Sequence, residues 1–188
     1  MRHRLEQIVL IVSILGFSWL AMQVVHELGH VLGAMASGGA VTEVILYPTS
    51  FSRTEVYPNP SPLLVVWAGP VVGCLLPILA FLVARVVGCP GVYLFRFFAG
   101  FCLVANGLYV GIGALEGFAD AGDMLLHGSP RWHLFLFGSI VAPLGLIAWH
   151  GVGERFGLGQ SKGKVSRRAA FTSLALLVVL AGIEIIRG

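Results

Sequence analysis

Charged side chains are scarce in this sequence. Asp, Glu, Lys and Arg together make up 11% of its 188 residues, against about 25% in an ordinary soluble domain. Hydrophobic residues make up 57%, and the mean hydropathy is +0.89. This composition argues against a soluble globular protein and indicates an integral membrane protein. Over these 188 residues we expect one compact helical unit, without a sizeable domain outside the membrane.

Cysteine is also sparse, and the spacing of the cysteines argues against a disulfide framework and against a thiolate metal site. The three cysteines are Cys74, Cys89 and Cys102, and no two of them form a CxxC pair. Neither a disulfide framework nor a thiolate metal site is therefore expected. The basic residues are likewise scattered through short loops between apolar runs rather than gathered in one patch, so we expect no nucleic-acid partner despite the pI near 9.0.

Long apolar runs are the main feature of the sequence. Five of them are long enough to cross a bilayer, which takes roughly 20 residues of helix; they lie at about 5–36, 63–87, 92–115, 132–150 and 169–186. We therefore predict an all-α polytopic membrane protein with about five transmembrane helices and a short β-hairpin at the membrane surface after the first. We expect it to lie in a cell membrane of bacterial type, with the lipid bilayer as its surroundings.

The predicted hairpin follows the first apolar run. Gly38-Gly39 ends the helix, and residues 41–47 are rich in β-branched and aromatic side chains, as are many strands. Pro48-Thr49-Ser50 favours a turn, and residues 51–57 predict the returning strand. The edge of such a hairpin can pair with an extended peptide, although a plain connecting loop is an equally good interpretation.

The most informative motif is His26-Glu27-Leu28-Gly29-His30, which lies inside the first apolar run. In a helix, residues four apart lie on the same face, so His26 and His30 can bind one metal ion. Glu27 is not needed as a ligand, but it can accept a proton from an attacking water and pass it to a leaving amine. The motif predicts a zinc hydrolase site within the membrane.

Two other interpretations of the histidines stay open: a polar patch that joins helices by hydrogen bonds, and a pair of haem ligands. Chance alone would produce the pattern in a chain of this composition with a probability of roughly 0.7%. Ionisable groups at membrane depth cost on the order of 2.5 to 3.5 kcal/mol each and usually mark a functional site, which favours the hydrolase.

A catalytic zinc site normally has three protein ligands, so two histidines leave it one short. The stretch after the third apolar run offers Asp120 and Asp123, three residues apart. On a helix both would face one sector, and either can supply the missing carboxylate. As an alternative role, one of them caps the helix, for which Asp is well suited.

The second and third apolar runs contain small and polar residues. Gly69 and Gly73 have the small-xxx-small spacing that lets membrane helices approach closely, which packing alone would explain. Asn106 lies in the third run, where an amide can brace a helix contact or bind substrate backbone. Bracing a helix is the commoner role.

These features together resemble the site-2 protease family of intramembrane zinc metalloproteases. The resemblance covers residues 5–126 and is based on four features, listed in chain order: His26-Glu27-Leu28-Gly29-His30, Gly38-Gly39 with the hairpin, Ala68-Gly69-Pro70, and Asp120-Ala121-Gly122 followed by Leu125. It implies one metalloprotease domain over residues 1–188, with core 5–126 and additional spans within 132–186. It also implies that the substrate is a transmembrane protein or peptide.

The resemblance also implies residue roles. His26, His30 and Asp120 would hold Zn²⁺, Glu27 would be the catalytic base, and Asn106 would bind substrate. The sequence departs from the family pattern at Asn106, which lies fourteen residues before Asp120 with no proline between them. Two other classes are a non-catalytic membrane protein that binds a metal or a helix, and a metal transporter. The transporter would need polar residues that the second, fourth and fifth runs lack.

Basic residues predict which ends of the spans share a side. With the amino terminus inside, nine of the twelve Lys and Arg residues fall in inner segments and three in outer ones, as the positive-inside rule favours. The end of the first span and the Asp120 segment then lie on the same side. This count places them near the outer face, whereas the family resemblance implies an active site that opens to the cytoplasm.

Overall fold

A computed structural model describes residues 2–187 of the chain, without the side chains of Arg2 and Arg187. Both arginines entered the charge count, and their side-chain placement lies outside the described part. Within this range the helices are, in chain order, α1 (Arg2–Ser37), α2 (Pro62–Val86), α3 (Val92–Glu116), α4 (Ala119–Leu126), α5 (Arg131–Trp149) and α6 (Arg167–Arg187). Two short 3₁₀ turns, Gly153–Phe156 and Gly159–Ser161, join α5 to α6.

The five predicted spans are confirmed as long apolar helices. All helices except α4 are long and apolar enough to cross a membrane, and each predicted end lies within three residues of the observed end. At about 1.5 Å per residue, the 36 residues of α1 exceed a hydrocarbon core of about 30 Å. This fold is that of a multi-pass membrane protein.

The hairpin predicted after the first helix is also confirmed. Strand β1 (Val41–Ile45) pairs antiparallel with β2 (Arg53–Val56). Both strands are shorter than the predicted 41–47 and 51–57, so the connection between them is wider than a tight turn.

Polar side chains of α1 explain the width of this connection. Trp19 donates from Nε1 to the carbonyl of Pro48 at 3.0 Å, and Gln23 donates from Nε2 to the carbonyl of Tyr47 at 3.3 Å. These carbonyls bond to the helix instead of extending the strand ladder. The hairpin is thereby tied to the same helix that carries the histidines.

The helices pack through small residues, as membrane helices often do. Helix α3 packs mainly against α5 and α2, and α1 packs against α2 and α6. A side chain on Gly107 would lie 2.7 Å from the backbone nitrogen of Ala142, so α3 and α5 touch nearly backbone to backbone there. This packing fixes the position of α3 and of the segment that follows it.

The chain reverses direction sharply between α3 and α4. Gly117, with φ of 64°, ends α3 in the left-handed conformation that favours glycine. Ala119 also has a positive φ, 48°, which is uncommon for a residue with a side chain. The reversal returns α4 toward α1 and places Asp120 in the first turn of α4.

Candidate metal centre

One helical turn of α1 supplies three functional groups. His26, Glu27 and His30 are all buried, with exposed fractions of 7%, 5% and 7%. The two imidazole rings lie edge to face with their centres 4.8 Å apart. These three side chains together could hold a metal ion, whereas the spacing predicts only the two histidines as ligands.

Helix α4 brings a carboxylate to the same point. Asp120 Oδ2 lies 2.8 Å from Nε2 of His26 and 3.3 Å from Nε2 of His30. Asp123 is exposed, and the part of the chain that the structure describes gives it no side-chain hydrogen bond or ion pair. The N-cap of α4 is Phe118, so the alternative in which an aspartate caps the helix does not apply. Of the two candidates, Asp120 is the one beside the histidines.

The outer nitrogen of each histidine has its own acceptor. His26 Nδ1 lies 2.7 Å from Oδ1 of Asn106, and His30 Nδ1 lies 2.9 Å from the carbonyl of Val65. The Asn106 amide is oriented by its Nδ2, which donates to the carbonyl of Cys102 at 2.9 Å. Because both partners are acceptors, each Nδ1 carries hydrogen, and a neutral ring then directs the lone pair of Nε2 toward Asp120.

Asp120 is an anion at neutral pH. Burial acts to raise the pKa of its carboxyl group, but hydrogen bonds and charge interactions with protonated His26 and His30 lower that pKa by more, to well below its usual range. With both rings neutral and Nδ1 protonated, two imidazole lone pairs would instead meet this carboxylate oxygen. Such electron pairs repel one another unless a cation, either a proton or a metal ion, lies between them.

Helix α2 closes the centre from a third direction, and a glycine makes this possible. A side chain on Gly69 would lie 2.9 Å from Nε2 of His26 and closer still to the ring of His30. Gly73, one turn later, faces the amide of Asn106. Gly69 and Gly73, whose spacing helix packing alone would explain, therefore border the two histidines and Asn106.

The centre opens into a cavity of about 840 Å³, a volume typical of ligand sites. Its wall is largely aromatic beside the histidines. Phe51 of the hairpin connection stacks on Tyr109 of α3 at 5.7 Å and meets Phe118 edge to face at 5.9 Å. The histidines therefore line a cavity rather than face lipid, which lowers the cost of placing them in a span.

Sequence reasoning missed several of these neighbours. Thr54 of β2 donates from its hydroxyl to Oε2 of Glu27 at 2.7 Å, and Tyr109 meets His26 edge to face at 5.7 Å. Neither residue belongs to a metal motif, so no local signal marked them. The substrate-binding role of Asn106 stays a prediction, and the two bonds described above give its amide a structural role as well.

Comparison of the chain with protein-family models, curated proteins and solved structures finds no match. The arrangement of His26, Glu27, His30 and Asp120 is therefore the observation that bears on function.

Proposed function

We propose that this chain is an intramembrane zinc metalloprotease that hydrolyses a peptide bond in or near the transmembrane segment of a membrane protein. One observation supports the proposal above all others: His26 Nε2, His30 Nε2 and Asp120 Oδ2 converge in a cavity beside a buried glutamate. Ligands of a tetrahedral zinc ion, bound at 2.0 to 2.2 Å, lie about 3.3 Å apart. The separation of Asp120 Oδ2 from His30 Nε2, 3.3 Å, equals that value, and its separation from His26 Nε2, 2.8 Å, is shorter and within hydrogen-bond distance.

Different side chains would bind the metal ion and transfer the proton. His26, His30 and Asp120 would hold the ion, which when bound supplies Lewis acidity and makes water a stronger acid. Glu27 accepts a proton from a water whose oxygen attacks the peptide carbonyl carbon. It then donates this proton to the amine nitrogen as the C–N bond breaks.

The surroundings of the site favour a membrane-embedded peptide. The cavity lies between helices of membrane-spanning length and has an aromatic wall, which suits apolar side chains. A helical peptide bond is shielded by its own hydrogen bonds and side chains, so the substrate segment must unwind locally. The hairpin beside the cavity provides a strand edge that can bind an extended chain.

The zinc content of the detergent-purified protein tests the metal site. We expect about one zinc per wild-type chain, loss of zinc in His26→Ala and Asp120→Asn, and retention in the matched variant Asp123→Asn. Elemental analysis by mass spectrometry gives the stoichiometry. A metal-replete wild type without zinc would contradict the proposal.

Glu27→Gln tests catalysis separately. We expect this variant to keep its zinc and to lose peptide hydrolysis, because glutamine cannot accept the proton. The measurement compares cleavage products in apolar segments, found by mass spectrometry, between membranes that contain the wild type and membranes that contain Glu27→Gln. Zinc binding with identical products in both samples would instead favour a non-catalytic metal-binding membrane protein on the same scaffold.

A further inference from the structure

A residue of the hairpin contacts the proposed catalytic base. The hydroxyl of Thr54 donates to Oε2 of Glu27 at 2.7 Å and lies 3.5 Å from the backbone carbonyl of Glu27. The second carboxylate oxygen, Oε1, accepts no hydrogen bond from residues 2–187. One oxygen of the base is thus fixed by Thr54, and the other remains available for water.

The position of Thr54 is set by more than this one bond. The hairpin is attached to α1 at three successive turns, through Trp19, Gln23 and Glu27. Residues four apart share a helix face, so one face of α1 carries both the hairpin and the base. The amide of Gln23 also accepts hydrogen bonds from the backbone and the hydroxyl of Ser52, both at 2.9 Å. This network holds strand β2 at a fixed height along α1.

We infer that Thr54 is a positioning residue, which holds the Glu27 carboxylate in the orientation that proton transfer requires. The inference depends on the proposed proteolytic function. A hydroxyl bonded to a carboxylate forms a charge-assisted bond, stronger than one between neutral groups. Burial of Glu27 makes the bond stronger still, because little water competes for the carboxylate.

The same bond connects the base to the strand that is a candidate peptide-binding edge. Thr54 lies opposite Val44 of β1, within the hairpin, and it also lines the cavity. The residue that bonds to the proposed base therefore belongs to the hairpin whose edge is the candidate peptide-binding site.

The test uses three threonine variants of the full-length protein. Thr54→Val removes the hydroxyl with little change in volume, and Thr54→Ser restores the hydroxyl. Thr42→Val is the matched control, because Thr42 lies on the neighbouring strand and its hydroxyl bonds only to the exposed carbonyl of Glu55, at 3.1 Å. The probe is a fluorescence-quenched peptide that contains an apolar segment cleaved by the wild type.

We expect Thr54→Val to lower kcat by about 10- to 100-fold, the usual effect of losing a hydrogen-bond partner that orients a functional residue at a metal site. KM should stay within about twofold, since uniform substrate binding is not affected. Thr54→Ser should recover most of the rate, and Thr42→Val should match the wild type. Zinc content should be unchanged in all three variants, because Thr54 bonds to none of the three proposed ligands, which are His26, His30 and Asp120.

The possible failures are distinguishable. A wild type that cleaves no peptide, or a Glu27→Gln variant as active as the wild type, would overturn the proposed function itself. If the wild type is active and Glu27→Gln is not, a Thr54→Val variant with normal kcat would overturn the role of Thr54 alone. A raised KM at normal kcat, or failure of serine to restore the rate, would also overturn it.

Discussion

At the scale of single residues, the histidines are held by acceptors that the metal motif does not specify. His26 donates to the side chain of Asn106, and His30 donates to the backbone of Val65. Such outer contacts fix the tautomer and the ring orientation, and they make the ligating nitrogen more basic. The side-chain acceptor is open to mutation, whereas the backbone acceptor is not.

Replacement of Asn106 by Leu should weaken zinc binding by about 10- to 100-fold. The change leaves Nδ1 of His26 without an acceptor and frees the ring to rotate. Competition with a chelator of known affinity measures the effect. Asn59→Leu provides the control, because Asn59 lines the same cavity but its Oδ1 has no hydrogen-bond partner within residues 2–187. Equal affinities of the two variants would show that the Asn106 contact does not support the metal.

At the scale of secondary-structure elements, the close approach of α2 to α1 shapes the centre. Gly69 faces both imidazole rings, and on the opposite side of the contact a side chain on Gly29 would collide with the backbone of Ala68. Two glycines therefore allow the helices to meet where the ligands converge. The contact brings Val65 within reach of His30 and closes the centre on the α2 side.

Gly69→Ala should reduce the zinc content well below one per chain. The added methyl group would occupy space next to Nε2 of His26, and neither the helix backbone nor a ligating ring can yield without moving a ligand. Elemental analysis of the purified variant measures the loss. Gly182→Ala in α6 is the control, since no atom lies within 4 Å of the added carbon, and it should retain zinc. Full zinc occupancy in Gly69→Ala would contradict this account of the contact.

The short helix α4 holds Asp120 in place beside the histidines. Its eight residues are too few to span a membrane, but Ala121 and Met124 are fully buried and anchor it against α3 and α5 through Val110, Ala114 and Leu134. This anchoring maintains the reversal at Gly117. Asp120 is thereby presented by a packed element rather than by a free loop.

At the scale of the whole molecule, the candidate metal-binding side chains lie toward one end of the bundle of five long helices. The contact between His26 and Asp120 requires the later part of α1 and the start of α4 to lie at the same level. The outer surfaces of the helices carry many exposed apolar side chains, as a lipid-facing surface requires. The polar groups of the site lie inside, around the cavity.

Cysteine labelling tests this arrangement in the membrane. Glu55→Cys in the hairpin and His127→Cys after α4, each combined with Cys89→Ser, should react with an impermeant thiol reagent from the same side. The native Cys89, in the α2–α3 connection, and Lys162→Cys should react from the other side, because one crossing separates each from the site end. Labelling of intact cells and of inverted vesicles gives the comparison.

The labelling pattern also decides the absolute orientation. Reaction of the hairpin cysteine from outside would agree with the charge count, and reaction from inside would agree with the family resemblance. Labelling of Glu55→Cys and His127→Cys from opposite sides would contradict the five-span arrangement.

The sequence by itself determined the spans, the hairpin and the motif on α1. Each is encoded locally: an apolar run of sufficient length specifies a membrane helix, and the spacing of His26 and His30 specifies a shared face. The sequence also limited the candidates for a third metal ligand to Asp120 and Asp123, because both lie in the short segment after the third apolar run.

Only the tertiary structure decided which groups meet at the centre. Asp120 is 94 residues from His26, Asn106 is 80 residues from it, and Thr54 is 27 residues from Glu27. Between helices in lipid, side chains that face the bilayer and side chains that face a neighbouring helix are similarly apolar, so hydropathy does not reveal which faces touch. The backbone contacts at Gly69 and Gly107 and the reversal at Gly117 set those faces, and with them the neighbours of the two histidines.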